Sequence, residues 1–115
     1  MRFKMILASV KQDVTDGIVD AAKQAGATGA TIIPARGTGS HEAKTFFGLT
    51  LEVQTDIVMF LVEEHSITPI LDAIKTAGKF HKPGTGIAFV LPVEQVVGLE
   101  SQMQHFKEKV QNNYF

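Results

Sequence analysis

GKFHKPGTGIAFVLPV, residues 78–93, joins an exposed turn to an apolar strand within one short stretch. The turn is rich in Gly, Pro and Lys, and the strand pattern that follows it, Ile87–Leu91, is closed by a proline. Gly84, Thr85 and Gly86 have little or no side chain to hold a ligand away from the backbone. Successive backbone N–H groups in such a turn attract anions. Glycine also serves turns for conformational reasons alone, so the stretch supports both a binding and a structural interpretation.

Positive charge in the turn favours the binding interpretation. Lys79 and Lys82 are cationic, and His81 becomes cationic when it is protonated. A turn that combines exposed backbone N–H groups with positive charge is expected to bind an anionic group. We therefore predict that function lies at this junction of turn and strand.

The composition of the chain indicates a single globular domain, residues 1–115. Hydrophobic residues make up 44% of the chain and charged residues 20%, which excludes disorder. The net charge of −1 argues against nucleic-acid binding, which normally requires a basic excess. The absence of cysteine suits a reducing compartment. Because no segment has the pattern of a signal peptide or a membrane span, we expect a cytoplasmic protein.

Outward from the quoted stretch, strand and helix patterns alternate along the chain. Apolar residues recur at helical spacing from a cap at Asp13 to Gly26, and again from a cap at Ser66 to Gly78. Apolar and β-branched runs bounded by turn residues mark the strands. The four predicted strands are Phe3–Val10, Thr28–Ala35, Leu51–Val62 and Gly86–Leu91.

This order of elements predicts an α+β fold of the ferredoxin-like βαββαβ kind, a four-stranded antiparallel sheet with two helices on one face. The third strand alternates at first, and Ile57–Val62 is then apolar on both faces. Two helices cover only one face of such a sheet, so we expect the other face to meet another subunit. Residues 1–92 form the predicted core, and residues 93–115 are expected to add a strand or bend and an amphipathic helix.

Three pieces of the chain carry a resemblance to a known family. They are Gly26-Ala-Thr-Gly-Ala-Thr-Ile, Gly37-Thr-Gly39, and Thr76-Ala-Gly-Lys followed by the glycine-rich turn and Ile87-Ala-Phe-Val-Leu-Pro-Val-Glu. In order and spacing, over most of residues 1–100, they resemble the PII nitrogen-regulatory and PII-like signal-transduction proteins. The resemblance implies a homotrimer whose sheets face inward, with effector sites in the clefts between subunits.

The resemblance also implies a regulatory protein rather than an enzyme. A small effector, either an adenine nucleotide or a small anion, is expected in the clefts. A mobile loop, about residues 37–50, is expected to relay its binding to a partner, a membrane transporter or an enzyme. The sequence offers no Ser/His/Asp arrangement or carboxylate pair that suggests catalysis, which agrees with this expectation.

Matched position by position, the resemblance assigns Thr31 to an adenine ring and the glycines of the turn to phosphate. The base of the loop lines the same cleft from the neighbouring side. The implied effector site comprises Thr31, Gly37, Thr38, Gly39, Ser40, His41, Lys79, Lys82, Gly84, Thr85 and Gly86.

Departures from the family's pattern change the expected ligand. Ile87 stands where nucleotide-binding members have a lysine, and Gly98 and Glu100 stand where they have two arginines. Each lost charge-assisted contact is worth about 1.5–3 kcal/mol. We therefore expect ADP, AMP or a cyclic nucleotide rather than ATP, and no obligatory cofactor. In addition, His41 replaces the glutamine that helps to hold metal and 2-oxoglutarate in the family.

Within the loop, Glu42, Lys44, Phe46 and Phe47 are the residues expected to contact the partner protein. Exposed aromatic side chains are common anchors at interfaces. The aromatic pair has a second interpretation, as the start of the third strand packing inward, and the sequence leaves both open.

The histidines suggest an alternative function, that of a trimeric metal-binding or metal-tolerance protein of the same fold. Adjacent His41 and Glu42, with His81 from a neighbouring subunit, are the candidate ligands. No other histidine forms a close His/carboxylate array in the sequence, and we interpret Glu63-Glu64 as a solvated turn. A regulatory protein without a metal site is the preferred prediction.

Overall fold

A computed structural model describes residues 2–37, 45–46, 49–50 and 53–99, with side chains for 2–37 and 54–99. Two helices and six strands lie in these residues, and short 3₁₀ turns at Gln12–Val14 and Glu64–Ser66 lead into the helices. The elements are β1 (Phe3–Lys11), α1 (Thr15–Gln24), β2 (Thr31–Gly37), β3 (Thr45–Phe46), β4 (Leu49–Thr50), β5 (Val53–Glu63), α2 (Ile67–Ala77) and β6 (Gly86–Pro92).

The main sheet has four strands in the order β2-β5-β1-β6, and each neighbouring pair is antiparallel. With α1 after β1 and α2 after β5, this is the ferredoxin-like βαββαβ fold, and the prediction is confirmed. Pro34 lies in β2, which is an edge strand. Proline is tolerated in an edge strand because such a strand has a hydrogen-bonded neighbour on one side only. β3 and β4 pair separately as a two-stranded ribbon.

The hydrophobic core lies between one face of the sheet and the two helices. Alternate residues of the central strands point into it, because side chains on a strand alternate between its faces. The fully buried large side chains are Phe60, Ile6, Ile18, Ile70, Ile74, Val10 and Val58. The predicted apolar stripes of both helices are confirmed, with α1 contributing Ile18 and Ala22, and α2 contributing Ile70 and Ile74.

The opposite face of the sheet is apolar, and none of the described residues covers it. Neighbouring residues on this face form rows that cross the strands, for example Ile33, Ile57, Ser9 and Ile87. Along the strands, these rows alternate with rows whose side chains point into the core. Large side chains on this face remain 40% to 61% exposed, namely Ile33, Leu61, Ile87 and Phe89. We call this surface the open sheet face. Its composition agrees with the predicted doubly apolar segment of the third strand.

The second strand begins three residues later than predicted and extends to Gly37. The reason lies in the end of α1, where Ala27 N–H donates to the Ala22 carbonyl and Gly26 N–H donates to that of Lys23. These bonds close the helix in a Schellman motif with Gly26 in the left-handed region, so Ala27 still belongs to the cap. The glycine stop predicted for α1 is confirmed.

The predicted cap at Asp13 is wrong. Asp13 lies inside the 3₁₀ turn, and the cap position of α1 is Val14, whose side chain cannot accept a hydrogen bond. A carboxylate from another element lies at this helix start instead, because Thr15 Oγ1 donates to Asp56 Oδ2 at 2.7 Å. Gln12 Nε2 donates to the other oxygen of Asp56 at 3.3 Å. A buried acid of β5 therefore ties the sheet to the start of α1.

Ser66 occupies the cap position of α2 as predicted, but its side chain makes no capping bond. Beyond β6, residues 93–99 continue to a bend at Val97–Gly98, where Gly98 has a φ of +92°. Leu99 is helical, and the rest of the predicted C-terminal helix lies outside the described residues.

Candidate functional site

The turn between α2 and β6 begins with an unusual helix end. Gly78 ends α2 as predicted, but it keeps a right-handed φ of −85°. Lys79 takes the left-handed position, with a φ of +55°. Lys79 N–H donates to the Thr76 carbonyl and Phe80 N–H to the Lys75 carbonyl, the bonds of a Schellman motif. A lysine therefore occupies a conformation in which glycine is the usual residue.

Thr85 closes the turn from its other side. Its Oγ1 lies 3.0 Å from the Lys79 carbonyl and 2.9 Å from the Lys82 carbonyl, so the hydroxyl donates back into the turn. Lys82 N–H also donates to the Lys79 carbonyl at 3.0 Å. Gly84 is the second residue of the turn in the left-handed region after Lys79, with a φ of +76°. The turn is therefore held by its own hydrogen bonds before any ligand is present.

The ring of Phe80 fills the space between the two ends of the turn. A Cβ added to Gly86 would lie 2.7 Å from Phe80 Cε1 and 2.9 Å from the Ser9 carbonyl oxygen. A Cβ on Gly78 would also collide with the Phe80 ring and lie 3.1 Å from Ile18 Cδ1. Both glycines are needed for close packing, which supports the structural interpretation for these two positions.

The charged side chains of the turn point to solvent. Lys79, His81 and Lys82 are exposed, as is Gly84, while Thr85 is half-buried. Two cations and a histidine thus lie in the same turn as exposed Gly84 and Gly86, although the Phe80 ring packs on one side of Gly86. This arrangement fits an anionic group, because the two lysines place positive charge beside an exposed, glycine-rich stretch of backbone.

The turn and the start of the loop lie at the same end of the sheet but on opposite edges. Gly86 pairs with Val10 on β1, and the same row continues to Asp56 on β5 and Pro34 on β2. Three strand spacings amount to about 14 Å. Gly37 lies three residues beyond Pro34 toward this same end. One chain therefore presents the two glycine-rich segments apart rather than in one cleft.

Thr31, the residue assigned to an adenine ring, begins β2 and is exposed. It pairs with Met59 on β5, and its side chain shares the open sheet face with that of Ile33. Several residues of the predicted site and loop lie outside the described residues, namely Thr38, Gly39, Ser40, His41, Glu42, Lys44 and Phe47.

Phe46 lies in β3, opposite Leu49 of β4. The interpretation of the aromatic pair as the start of the third sheet strand is therefore wrong for Phe46, because the sheet strand begins at Val53. The reason is a local hairpin pairing within the loop, which the sequence pattern did not reveal.

A His/carboxylate cluster that the sequence analysis missed lies between β5 and α2. Side-chain ligand atoms of Glu63, Glu64 and His65 all lie within 4.8 Å of one another. His65 Nδ1 lies 2.6 Å from Glu63 Oε1, and His65 N–H donates to Glu63 Oε2 at 2.8 Å. Glu63 therefore caps the 3₁₀ turn, and the segment is more than the solvated turn that the sequence predicted. The signal for it is a glutamate two residues before a histidine at a helix start.

The same contacts shift both pKa values. The hydrogen bond to Glu63 raises the pKa of His65, and the charges of Glu63 and Glu64 add to this effect. Desolvation acts to raise the pKa of Glu63, but its hydrogen bonds with the His65 side chain and N–H outweigh this, so the pKa is lowered. Both oxygens of Glu63 already contact His65, so a metal ion bound here would compete with the cap of the 3₁₀ turn.

Neither helix within the described residues has the length and apolar character needed to cross a membrane. The fold, the open sheet face and the cationic turn together define a ferredoxin-like α+β domain whose glycine-rich connections lie at one end of its sheet. The family model of the nitrogen regulatory protein P-II matches residues 3–103, and the chain belongs to that family. Its members are trimeric signal-transduction regulators of enzymes and transporters, are not enzymes, and typically bind adenine nucleotides.

Proposed function

We propose that this protein is a homotrimeric PII-type regulator that binds ADP, AMP or a cyclic nucleotide in clefts between its subunits. One observation carries the proposal: Gly37 and the turn at Gly84–Gly86 lie at the same end of the sheet on opposite edges. A closed ring of identical chains brings one edge of each sheet next to the other edge of its neighbour. Each cleft then receives the loop base from one chain and the cationic turn from the next.

The open sheet face supports the assembly in this proposal. Contiguous apolar surface of this kind is unusual on a monomer and is removed from water when copies pack face to face. Residues such as Leu61 and Phe89, at 40% and 42% exposure, become buried in the assembly. The edges of the sheets then approach each other because the sheets themselves face inward.

The charges of the turn support a small phosphate-bearing ligand. Lys79 and Lys82 are exposed at the turn, whereas the next side chain along β6, Ile87, is apolar and 61% exposed. Two cations next to an exposed, glycine-rich stretch of backbone suit one or two phosphate groups. A triphosphate would extend its third phosphate toward a region that offers no lysine at position 87.

In the proposed mechanism, the loop at residues 37–50 reports the ligand to a partner. The ligand shifts the loop only if it binds one loop conformation better than another. Gly37, at the base of the loop, lies next to the cleft in the proposed trimer, so a bound ligand can contact the loop there. Glu42, Lys44, Phe46 and Phe47 then contact the partner, a membrane transporter or an enzyme of the cytoplasm. The extension at residues 93–115 completes the single domain.

Isothermal titration calorimetry of the full chain with ADP, AMP, cyclic AMP and ATP tests the proposal. We expect a Kd for at least one of the first three that is no weaker than that for ATP. Lys79→Ala and Lys82→Ala should each weaken ADP binding, whereas Lys23→Ala, an exposed lysine on α1, should leave it unchanged. Tighter binding of ATP than of all three smaller nucleotides, unaffected by either turn variant, would contradict the proposal.

The metal-binding alternative predicts a different result. Zinc, copper or cobalt would raise the thermal stability while nucleotides would not, and His41→Ala would abolish the effect. His81→Ala tests the ligand expected from the turn. Stabilisation by nucleotides and not by metals would reject this alternative.

A further inference from the structure

Phe80 makes contacts that no other residue of the turn makes. Its ring packs on both flanking glycines, Gly78 and Gly86, and joins the hydrophobic core next to Ile18. The backbone N–H of the same residue completes the Schellman motif by donating to the Lys75 carbonyl at 3.0 Å. One residue therefore fixes the end of α2, the start of β6 and the distance between them.

The rest of the turn depends on that distance. Residues 79–85 span the gap between the two glycines, and their internal bonds, from Thr85 Oγ1 and Lys82 N–H to carbonyls of the turn, form only at a suitable separation of its ends. Lys79 is held in the left-handed region, which a free lysine seldom adopts. A strained residue persists when its surroundings over-determine it, and the neighbouring Phe80 packs against the hydrophobic core.

We propose that Phe80 is a positioning residue for the anion site: its ring holds the backbone N–H groups of Gly84–Gly86 and the Lys79 side chain in their binding geometry. This inference rests on the proposed function for the identity of the ligand, but not for the geometry itself. An ordered turn binds its ligand without the cost of ordering the backbone on binding. Loss of the ring transfers that cost to the binding step.

Two variants test the role from opposite sides. Phe80→Leu keeps an apolar side chain but leaves the space between the glycines unfilled. Gly78→Ala keeps the ring and displaces it, because the new methyl group collides with it, while a φ of −85° is acceptable for alanine. Ile70→Val, a buried change on α2 away from the turn, controls for lower stability alone.

The first readout is hydrogen exchange of the free protein. We expect faster exchange of the Lys82 amide and its neighbours in residues 79–86 for Phe80→Leu and Gly78→Ala, with exchange in β1 and β5 unchanged. The Ile70→Val variant should show no selective change in the turn. Unchanged exchange of the turn in Phe80→Leu would overturn the inference, whatever the ligand.

The second readout is the Kd for ADP, measured well below the melting temperature of each variant. We expect Phe80→Leu and Gly78→Ala to weaken ADP binding about tenfold, the factor for ordering roughly one backbone residue on binding. The Ile70→Val variant should bind as the wild type does. Wild-type affinity in Phe80→Leu would overturn the positioning role. Absence of ADP binding by the wild type would overturn the nucleotide ligand of the proposed function, while selective exchange in the turn would still support the role of Phe80.

Discussion

Lys79 adopts a left-handed conformation that costs a non-glycine residue about 1–2 kcal/mol. At the equivalent position after α1, the chain has Gly26, which adopts a positive φ without this cost. The two helices end in the same hydrogen-bonding pattern, so the difference lies in the side chain and not in the backbone. Strained residues of this kind concentrate at functional sites, which agrees with a role for the Lys79 ammonium group in binding.

Substitution of Lys79 separates its backbone strain from its charge. We expect Lys79→Gly to raise the free energy of unfolding by up to about 1 kcal/mol, because glycine relieves the strain. Lys79→Ala should bring no such gain, since alanine also has a Cβ. Urea denaturation measures both values.

Both variants remove the same charge, and we therefore expect them to weaken ADP binding equally. Equal stability of the two variants would contradict the account of the strain, and wild-type affinity in either would contradict the role of the charge.

The pair of Glu63 and His65 makes the stability depend on pH. The pKa of His65 is raised in the folded state, so its contribution is complete below its ordinary value of 6.5 and is lost as the pH rises through the folded pKa. The pKa of Glu63 is lowered, so its contribution is complete above 4.5 and is lost as the pH falls through the folded pKa. Both contributions are therefore complete between pH 4.5 and 6.5.

We expect Glu63→Gln to be destabilised relative to the wild type most strongly within this window. The effect should be small, because the His65 side chain is 84% exposed and water screens the pair. Urea denaturation from pH 4 to pH 8 measures the difference, and His65→Gln is the matched variant from the other side of the pair. A difference that stays constant across this pH range would show that the ion pair is not its source.

At the scale of elements, the start of α1 depends on a residue that is distant in sequence. Asp56 is 9% exposed, and both of its oxygens accept hydrogen bonds, from Thr15 and Gln12. The carboxylate lies at the positive end of the helix, where a negative charge is favourable. The sheet and the helix therefore stabilise each other through one side chain.

We expect Thr15→Val to lower the free energy of unfolding by about 1.5–3 kcal/mol, the range for a hydrogen bond to a charged group. Asp56→Ala should cost at least as much, because it removes two such bonds. Their coupling, measured by urea denaturation of the single and double variants, should be clear, since the residues are in direct contact. Additive effects of the two substitutions would contradict a direct capping role for Asp56.

The order and type of the helices and main-sheet strands could be predicted from the sequence, because hydrophobic periodicity reflects which side of each element is buried. The caps could not. Asp13 looked like a cap because of its residue type, whereas the actual carboxylate, Asp56, comes from a strand 41 positions after Thr15. Gly78 was predicted to end α2 and does so, but the close approach of the Phe80 ring, which requires a glycine there, could not be seen in the sequence.

The candidate site was predictable to a similar extent. The anion-binding character of the turn follows from its glycines and lysines, which the sequence displays directly. Its internal order does not, because it depends on Thr85 bonds to carbonyls three and six residues away and on the ring of Phe80. The ribbon at Phe46 and the pair of Glu63 and His65 depend on local backbone geometry, for which the sequence offers only a weak signal.

For the whole molecule, the open sheet face predicts the assembly. We expect the wild type to have a solution mass three times that of the 12.5 kDa chain. The double substitution Leu61→Asp/Leu91→Asp should separate the subunits, because charges within the buried apolar faces of the trimer would lack partners. In a separate chain these positions are 40% exposed and half-buried, respectively, so the protomer should keep its fold.

Analytical ultracentrifugation measures the mass, and circular dichroism checks the fold. Thr68→Asp, an exposed change on the helix side of the domain, is the control and should remain trimeric. A folded wild type with the mass of one chain would contradict the proposed assembly.

In the proposed assembly, the effector site is completed only between subunits. Leu61 and Leu91 lie in the row of Met5, at the opposite end of the sheet from Gly37 and Gly86. Their substitution therefore changes the assembly and leaves the turn of each chain intact. Calorimetric titration of ADP into the monomeric Leu61→Asp/Leu91→Asp variant is the most direct test. We expect the trimeric wild type to bind ADP and the folded monomer not to bind it. Equal affinity in the monomer would show that one chain alone forms the site.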